Sequence, residues 1–222
     1  MLLKVIPVGP FVENVYIIGD EQTKEGLIVD PGAEGERVLE EVEKLGLTIK
    51  YIVNTHGHAD HTGAVKAVKD ATGAAFAIHE RDIPTMRHVS RMILDMFKSW
   101  DAPPEPDFTV KDGDTVKIGP LEFTVAETPG HTPGSLCLIG NGVALTGDTL
   151  FRLSVGRTDL PGGDWDAEME SIRTKLYTLP NDTVALPGHG PYTTIGEERK
   201  ANPFVRDKAA GLWTPGKGGA EY

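Results

Sequence analysis

The chain has one cysteine, Cys137, among its 222 residues. No internal disulfide can form, which fits a reducing compartment. Cys137 lies in the apolar run Ser135-Leu136-Cys137-Leu138-Ile139, where a thiol serves as a small buried hydrophobe. No apolar stretch approaches the roughly 20 residues that span a bilayer. The opening Met1–Pro7 segment is too short, and too soon broken by Pro7, for a secretory leader. A cytoplasmic protein with no membrane partner is expected. Basic charge is short as well: Lys and Arg number 22 against 33 Asp and Glu, a formal net charge of −11. No run of Lys and Arg supplies the stripe that tracks a phosphate backbone, so nucleic acid is not an expected partner. An anionic small molecule remains compatible, because bound cations reverse a local field. Composition says nothing of the oligomeric state. No linker divides the chain, so residues 1–210 are read as one domain, followed by a Gly-rich tail at 211–222 expected to be mobile.

What is present is a succession of short elements. Leu2–Val8, Val15–Ile18 and Leu27–Val29 are rich in β-branched and aliphatic residues and are bounded by Gly, Pro, Asn or Asp, the pattern of strands. Asp30-Pro31-Gly32 reads as a turn. Glu34–Leu45 reads as a helix with Val38, Val42 and Leu45 on one face, stopped by Gly46. A strand is expected at Tyr51–Val53, a helix at Thr62–Thr72 and another strand at Ala75–Ile78. Glu80–Asp107 is the least regular stretch. Its methionines, Phe97 and Trp100 suit a pair of short helices on the core, or a part that overhangs a site. Further strands are expected at Val116–Ile118, Leu121–Val125, Leu136–Ile139, Val143–Leu145 and Thr183–Leu186. Trp165–Leu179 carries Trp165, Met169, Ile172 and Leu176 on one stripe, the mark of an amphipathic helix. A short helix is expected at Gly196–Ala201. The order gives two similar halves and predicts an α/β (α+β) fold of two sheets packed face to face with helices outside.

The chemistry is concentrated in Thr55-His56-Gly57-His58-Ala59-Asp60-His61. Pro129-Gly130-His131, Thr146-Gly147-Asp148 and Pro187-Gly188-His189 repeat the theme, each in a Gly-containing turn beside a strand-like run. Imidazole and carboxylate are the usual ligands of zinc and related divalent metals, and loops on a rigid sheet are where ligands are presented. In extended backbone, residues two apart point the same way, so His56 and His58 can converge on one ion. Asp60 and His61, at the expected turn into the helix near Thr62, can face a second. The two carboxylate oxygens of Asp148 can bridge both, and His131 and His189 can complete the sets. His79 and His88 match no such position and read as surface or packing residues.

This pattern resembles the metallo-β-lactamase superfamily, over nearly the whole chain. The resemblance implies a four-layer αββα sandwich of two mixed sheets flanked by helices. It implies that His56, His58, His131 and Asp148 hold one metal, and that Asp60, His61, His189 and the shared Asp148 hold the other. Two divalent ions are expected, zinc first, with iron or manganese compatible with the same donors. Asp60, beside a metal-bridging hydroxide, would orient it and take its proton as the catalytic residue.

Within the superfamily, Gly147-Asp148-Thr149-Leu150-Phe151, Val155-Gly156-Arg157-Thr158-Asp159-Leu160 and Pro187-Gly188-His189-Gly190-Pro191-Tyr192-Thr193-Thr194 resemble the glyoxalase II group, the hydroxyacylglutathione hydrolases. The similarity continues through Glu197–Phe204. It is to the short form of that group, without the C-terminal helical domain of the longer enzymes. A small-molecule thioester is the implied substrate. Arg157 falls where the longer enzymes carry a substrate-binding Lys, and Asp159 replaces a Tyr at another contact. Tyr192 is the candidate to take over part of that role. A salt bridge from Arg157 to Asp159 or Asp164 is the other reading of that arginine. The nearest rival is a persulfide dioxygenase-like mononuclear iron oxidoreductase on the same fold. Its members typically show Pro-Ala-His-Asp-Tyr where this chain has Pro187-Gly188-His189-Gly190-Pro191, which favours the hydrolase. A secreted β-lactamase would be expected to carry a leader.

Overall fold

A computed structural model describes residues 1–97 and 100–205; the tail expected at 211–222 lies outside the described residues. The first half opens with β1 (Leu2–Val8), β2 (Glu13–Gly19) and β3 (Glu25–Val29), followed by α1 (Gly35–Leu45) and β4 (Thr48–Val53). Then come α2 (Ala59–Thr62), α3 (Val65–Thr72), β5 (Ala75–Ile78), α4 (Ile83–Arg87), α5 (Arg91–Leu94) and β6 (Phe108–Thr109). The second half runs β7 (Thr115–Ile118), β8 (Leu121–Glu127), β9 (Leu136–Gly140), β10 (Val143–Gly147) and the small hairpin β11 (Leu150–Phe151) with β12 (Ser154–Val155). It closes with α6 (Trp165–Ser171), β13 (Val184–Pro187), β14 (Thr193–Thr194) and α7 (Ile195–Ala201).

Two mixed six-stranded sheets result. The first has the order β1-β2-β3-β4-β5-β6, antiparallel over its first three strands and parallel from β3 onward. The second has the order β14-β13-β10-β9-β8-β7, with β10 and β13 its parallel pair.

The alternation of side chains along each strand explains the layering, since neighbours in a strand face opposite ways. In β2, Val15 and Ile17 join Val38 and Val42 of α1 and Val65 and Val68 of α3, while Tyr16 and Ile18 face the other sheet. Leu27, Val29 and Val53 meet Val116, Ile118, Phe123, Val125, Leu136 and Leu138 across the centre. On the far side of the second sheet, Cys137 and Ala185 pack with Met169, Ile172, Leu176 and Ile195 from the outer helices. Three apolar layers therefore separate four layers of structure, the αββα sandwich expected. Each fully buried Val or Ile in these layers contributes about 1.5–3 kcal/mol relative to exposure. Among the described residues no helix is long and apolar enough to cross a membrane.

Two helices differ from expectation. The single helix expected from Thr62 to Thr72 is two, broken at Gly63, so that Asp60 and His61 sit inside the one-turn α2 rather than on a turn ahead of it. The Trp165–Leu179 helix is α-helical only to Ser171. It widens to π-helical from Ile172 to Leu176, where the Tyr177 amide reaches back five residues to the Ile172 carbonyl at 2.8 Å.

Candidate metal centre

Four strands deliver the site from their C-terminal ends. β4 ends at Val53 ahead of His56, β8 at Glu127 ahead of His131, β10 at Gly147 ahead of Asp148, and β13 at Pro187 ahead of His189. One strand comes from the first sheet and three from the second, so the two sheets meet in the site. The turn residues follow from close approach. A Cβ on Gly188 would lie 2.3 Å from Asp148 Oδ1 and 2.6 Å from the His61 ring, and one on Gly147, at φ +47°, would lie 2.3 Å from Thr55 Oγ1. Only glycine fits these contacts without movement of the neighbours.

The structure gathers all seven expected ligands. His56, His58 and His131 form one group, Asp60, His61 and His189 another, and His56, His61 and Asp148 a third between them, with ligand atoms within 4.8 Å of one another in each. His58 Nδ1 lies 2.9 Å from His131 Nε2, and His61 Nε2 lies 3.4 Å from His189 Nε2. Asp148 Oδ1 is 3.4 Å from His61 Nε2, while its Oδ2 is 3.6 Å from Nε2 of both His131 and His189. Asp60 Oδ2 is 3.3 Å from His189 Nε2.

The outer ring nitrogens reveal which atoms point inward. Nδ1 of His131 meets the Arg157 carbonyl at 2.7 Å, and Nδ1 of His189 meets the Phe11 carbonyl at 3.0 Å. Nδ1 of His61 lies 3.1 Å from Asp30 Oδ2. Nδ1 of His56 lies 3.1 Å from Thr55 Oγ1, whose own hydroxyl donates to Asp30 Oδ2 at 2.6 Å. Each outer partner is an oxygen, so Nδ1 of these four rings faces outward and Nε2 faces the centre, whereas His58 turns its Nδ1 inward toward His131. This is the orientation that metal-ligating histidines take. Nε2 of His56 is buried and accepts no hydrogen bond from the protein. Inward ring nitrogens and two carboxylates at this density could hold metal ions.

Protonation from the protein groups alone points the same way. Burial, and then the neighbouring His131, pushes His58 down to about 4, and burial pushes His56 well below its ordinary value. Burial opposes ionisation of Asp148, but His61, His131 and His189 together outweigh it and hold the group an anion. Asp60 is likewise desolvated, yet the bond from His189 and the nearby His61 keep it below the usual carboxylate range. Neutral imidazoles and ionised carboxylates are the ligating forms. Burial opposes the charged form, yet Asp148 and Asp30 raise His61, and the bond to Asp60 and then Asp148 raise His189, so an entering cation would have to displace protons.

Sequence reasoning missed the residues that hold the ligands in place. Asp30, read only as part of a turn, accepts from the Thr55 amide at 2.7 Å and from Asn54 at 3.2 Å besides Thr55 Oγ1, and it faces His61. Asn14 donates to the Pro187 and Gly190 carbonyls at 3.0 and 2.9 Å, and the Tyr16 hydroxyl donates to Pro187 at 2.7 Å, so β2 clamps the turn that carries His189. Glu168 accepts from the His131 amide at 2.8 Å, and burial pushes its carboxyl up to about 9. Glu13 is buried beside His61, with its Oε1 4.0 Å from His61 Nδ1. Spacing along the chain carries no mark of these acids.

The remaining expectations sort as follows. Arg157 lends its carbonyl to His131, while its guanidinium is 62% exposed and makes a two-pronged contact with Asp159 at 2.7 and 2.8 Å. Tyr192 is 69% exposed on the loop after His189. His79 is buried, with Nε2 3.0 Å from Glu127, and exposed His88 turns its Nδ1 to the Pro84 carbonyl. Cys137 is a buried free thiol. In the 80–107 stretch, α4 packs through buried Met86, whereas α5 buries no residue. Phe97 stacks edge-on against Phe11, ring centres 5.9 Å apart, and Trp100 donates to the Ala59 carbonyl of α2 at 3.2 Å. The stretch thus touches both the loop that backs His189 and the helix that carries Asp60.

Residues 8–189 match the family described as the Metallo-beta-lactamase superfamily. The chain belongs to that superfamily. It is 37% identical over 218 residues to hydroxyacylglutathione hydrolase GloC of Haemophilus influenzae, covering 94% of this chain and 100% of that one. Among solved structures, the superfamily fold is shared with the BLEG-1 B3 metallo-beta-lactamase at TM-score 0.84 and 35% identity, covering 93% of this chain and 100% of that chain. It is shared too with TTHA1623 in a di-iron-bound form, at TM-score 0.80 and 33% identity, covering 90% and 99%.

Proposed function

We propose that the protein is a cytoplasmic binuclear metal-dependent hydrolase that cleaves a small-molecule thioester of the hydroxyacylglutathione type. The carrying observation is the reach of Asp148. One carboxylate lies 3.4–3.6 Å from His61, His131 and His189, and so from members of both ligand groups. His56, His58, His131 and Asp148 would hold one cation and Asp60, His61, His189 and Asp148 the other. Bound cations would supply a lowered water pKa and a polarised carbonyl oxygen. The resemblance to hydroxyacylglutathione hydrolase GloC supports the thioester. Zinc suits the His-rich set, and the di-iron form of TTHA1623 makes iron the second choice, with manganese compatible.

Asp60 does the proton work in this reading. It is ionised, 20% exposed, and held at 3.3 Å by His189, so it can orient an attacking water and accept its proton. A thiolate leaving group needs little protonation, so this reaction asks for no separate acid. Arg157 and Tyr192 would meet the polar part of the substrate, Arg157 after release from Asp159. The acidic surface leaves nucleic acid outside this function.

The test pairs elemental analysis of unsupplemented protein with thioester hydrolysis. About two metals per chain and thioester loss without oxygen uptake are expected. Asp60→Ala should lose at least about 100-fold in kcat, the low end of what a positioned base contributes; near-parent turnover would remove Asp60 from the mechanism. The Gly156-Arg157-Thr158-Asp159 segment also occurs in the persulfide dioxygenase-like group, so oxygen uptake with glutathione persulfide would select that oxidoreductase instead. Preferential hydrolysis of a β-lactam would replace the thioester reading.

A further inference from the structure

Asp82 ties together the backbone around all three histidines of the first group. It closes the 3-10 turn Glu80–Asp82 after β5 and is fully buried. Its Oδ2 accepts from the Gly57 amide at 2.7 Å and from the Thr132 hydroxyl at 2.7 Å, and its Oδ1 accepts from the Gly134 amide at 2.6 Å. Gly57 lies between His56 and His58, and Thr132 follows His131. The turn around Asp82 is tight: a Cβ on Gly57 would come within 2.5 Å of the Asp82 carbonyl, and one on Gly134 within 2.7 Å of Oδ1. Thr132 is fixed from its other side, since Ser135 Oγ accepts its amide at 3.0 Å.

The second group is braced by other residues. Asp30 faces His61, Asn54 donates to the His61 carbonyl at 2.6 Å, and Asn14 and Tyr16 hold the His189 turn. The contacts of Asp82 reach none of these.

We propose that Asp82 is a positioning residue that sets the spacing between the His56–His58 loop and the His131 loop, and thereby the affinity of one of the two cations. The inference rests on the binuclear reading above. Asn cannot replace the carboxylate. Three donors point at its two oxygens, so either placement of the amide turns an NH2 group toward a backbone N–H.

The test is stepwise Co2+ titration of the apoprotein against a competing chelator, followed by the visible ligand-field bands of each step. A His58→Ala variant marks the step that belongs to the first group. In Asp82→Asn that step should weaken by about 10–100-fold, as is usual when a residue behind a ligand is lost, and its bands should shift. The other step should stay within about threefold. A milder pair guards against a variant that does not fold. Thr132→Val removes one donor and should weaken the same step, and Thr132→Ser, which keeps the hydroxyl, should restore it. Equal weakening of both steps would make Asp82 a general stability residue and overturn the proposal, as would unchanged affinity or no rescue by Ser. A parent protein that binds no second Co2+ would instead reject the binuclear reading on which this one stands.

Discussion

Asp30 and Cys137 illustrate what single residues contribute here. Asp30 sits at φ +53° and offers its carboxylate to the Thr55 amide, the Thr55 hydroxyl, Asn54 and His61, all from burial. Hydrogen bonds to a buried charged group contribute about 1.5–3 kcal/mol each. Asp30→Asn keeps the volume but turns an NH2 toward a donor, so about 3 kcal/mol or more of stability should be lost in urea denaturation. A loss below about 1 kcal/mol would contradict the bracing role. Cys137 is a different case. Burial pushes its thiol up to about 12, and its sulfur lies against Thr128 and the Thr146 carbonyl. A thiol so raised is almost wholly protonated at pH 8, and the thiolate is the reactive form. It should therefore react with a thiol reagent only on unfolding, at a rate that follows denaturant. Prompt reaction in the native protein would place the thiol outside the core. The seven candidate ligands were legible as residues because four crowd into six positions and the others repeat beside glycine. Asp30 and Asp82 were not, for an acid that braces a loop 25 residues away resembles any acid in a turn.

At the scale of elements, short aliphatic runs located the strands well, because strands covered on both faces read as near-continuous apolar runs. Periodicity placed helix ends less well. Nothing in Thr62–Thr72 signals the break at Gly63, whose Cα faces the Trp100 ring and the Gly32 carbonyl, partners that only the folded chain supplies. The π-helical turn at Ile172–Leu176 is equally silent, since Ile172 and Leu176 are spaced like residues of an ordinary helix. The exit of the 80–107 stretch gives an element-scale prediction. Asp107 Oδ2 meets Lys69 Nζ at 2.5 Å and the Phe76 amide at 2.7 Å, tying that exit to β5 and α3. The Lys69 contact, then the Phe76 amide, holds the Asp107 carboxyl below the usual carboxylate range. A depressed folded value means that its stabilisation is complete above the unfolded pKa near ~4 and is lost as pH falls through the folded one. Asp107→Asn should thus lower Tm at pH 6–7, and the gap to the parent should shrink below about pH 4. A gap constant from pH 3 to 7 would reject the ionic part of the latch.

The described residues form two sheets whose strand ends share one candidate site, so cation binding there would be a property of the fold. His56, His58, Asp60 and His61 come from the loop and helix after β4 of the first sheet, while His131, Asp148 and His189 follow strands of the second. An unfolded chain cannot assemble that set, because His56 and His189 are far apart in sequence and meet only when the sheets pack. A ligand that binds only the folded state stabilises it by about 2.7 kcal/mol when its free concentration is 100 times Kd. For a domain of this size each kcal/mol moves Tm by about 2–4 °C, so one saturated site should raise Tm by about 5–11 °C. Calorimetry of the protein before and after chelation, with metal content measured in both samples, tests this. The Asp60→Ala variant divides the effect: it should keep the share of the first group and lose part of the second. If stripping both metals left Tm unchanged, the ligands would have to be held in place by the apolar layers and the bracing acids alone. The sheets would then pack without help from the site, and the centre would serve chemistry only.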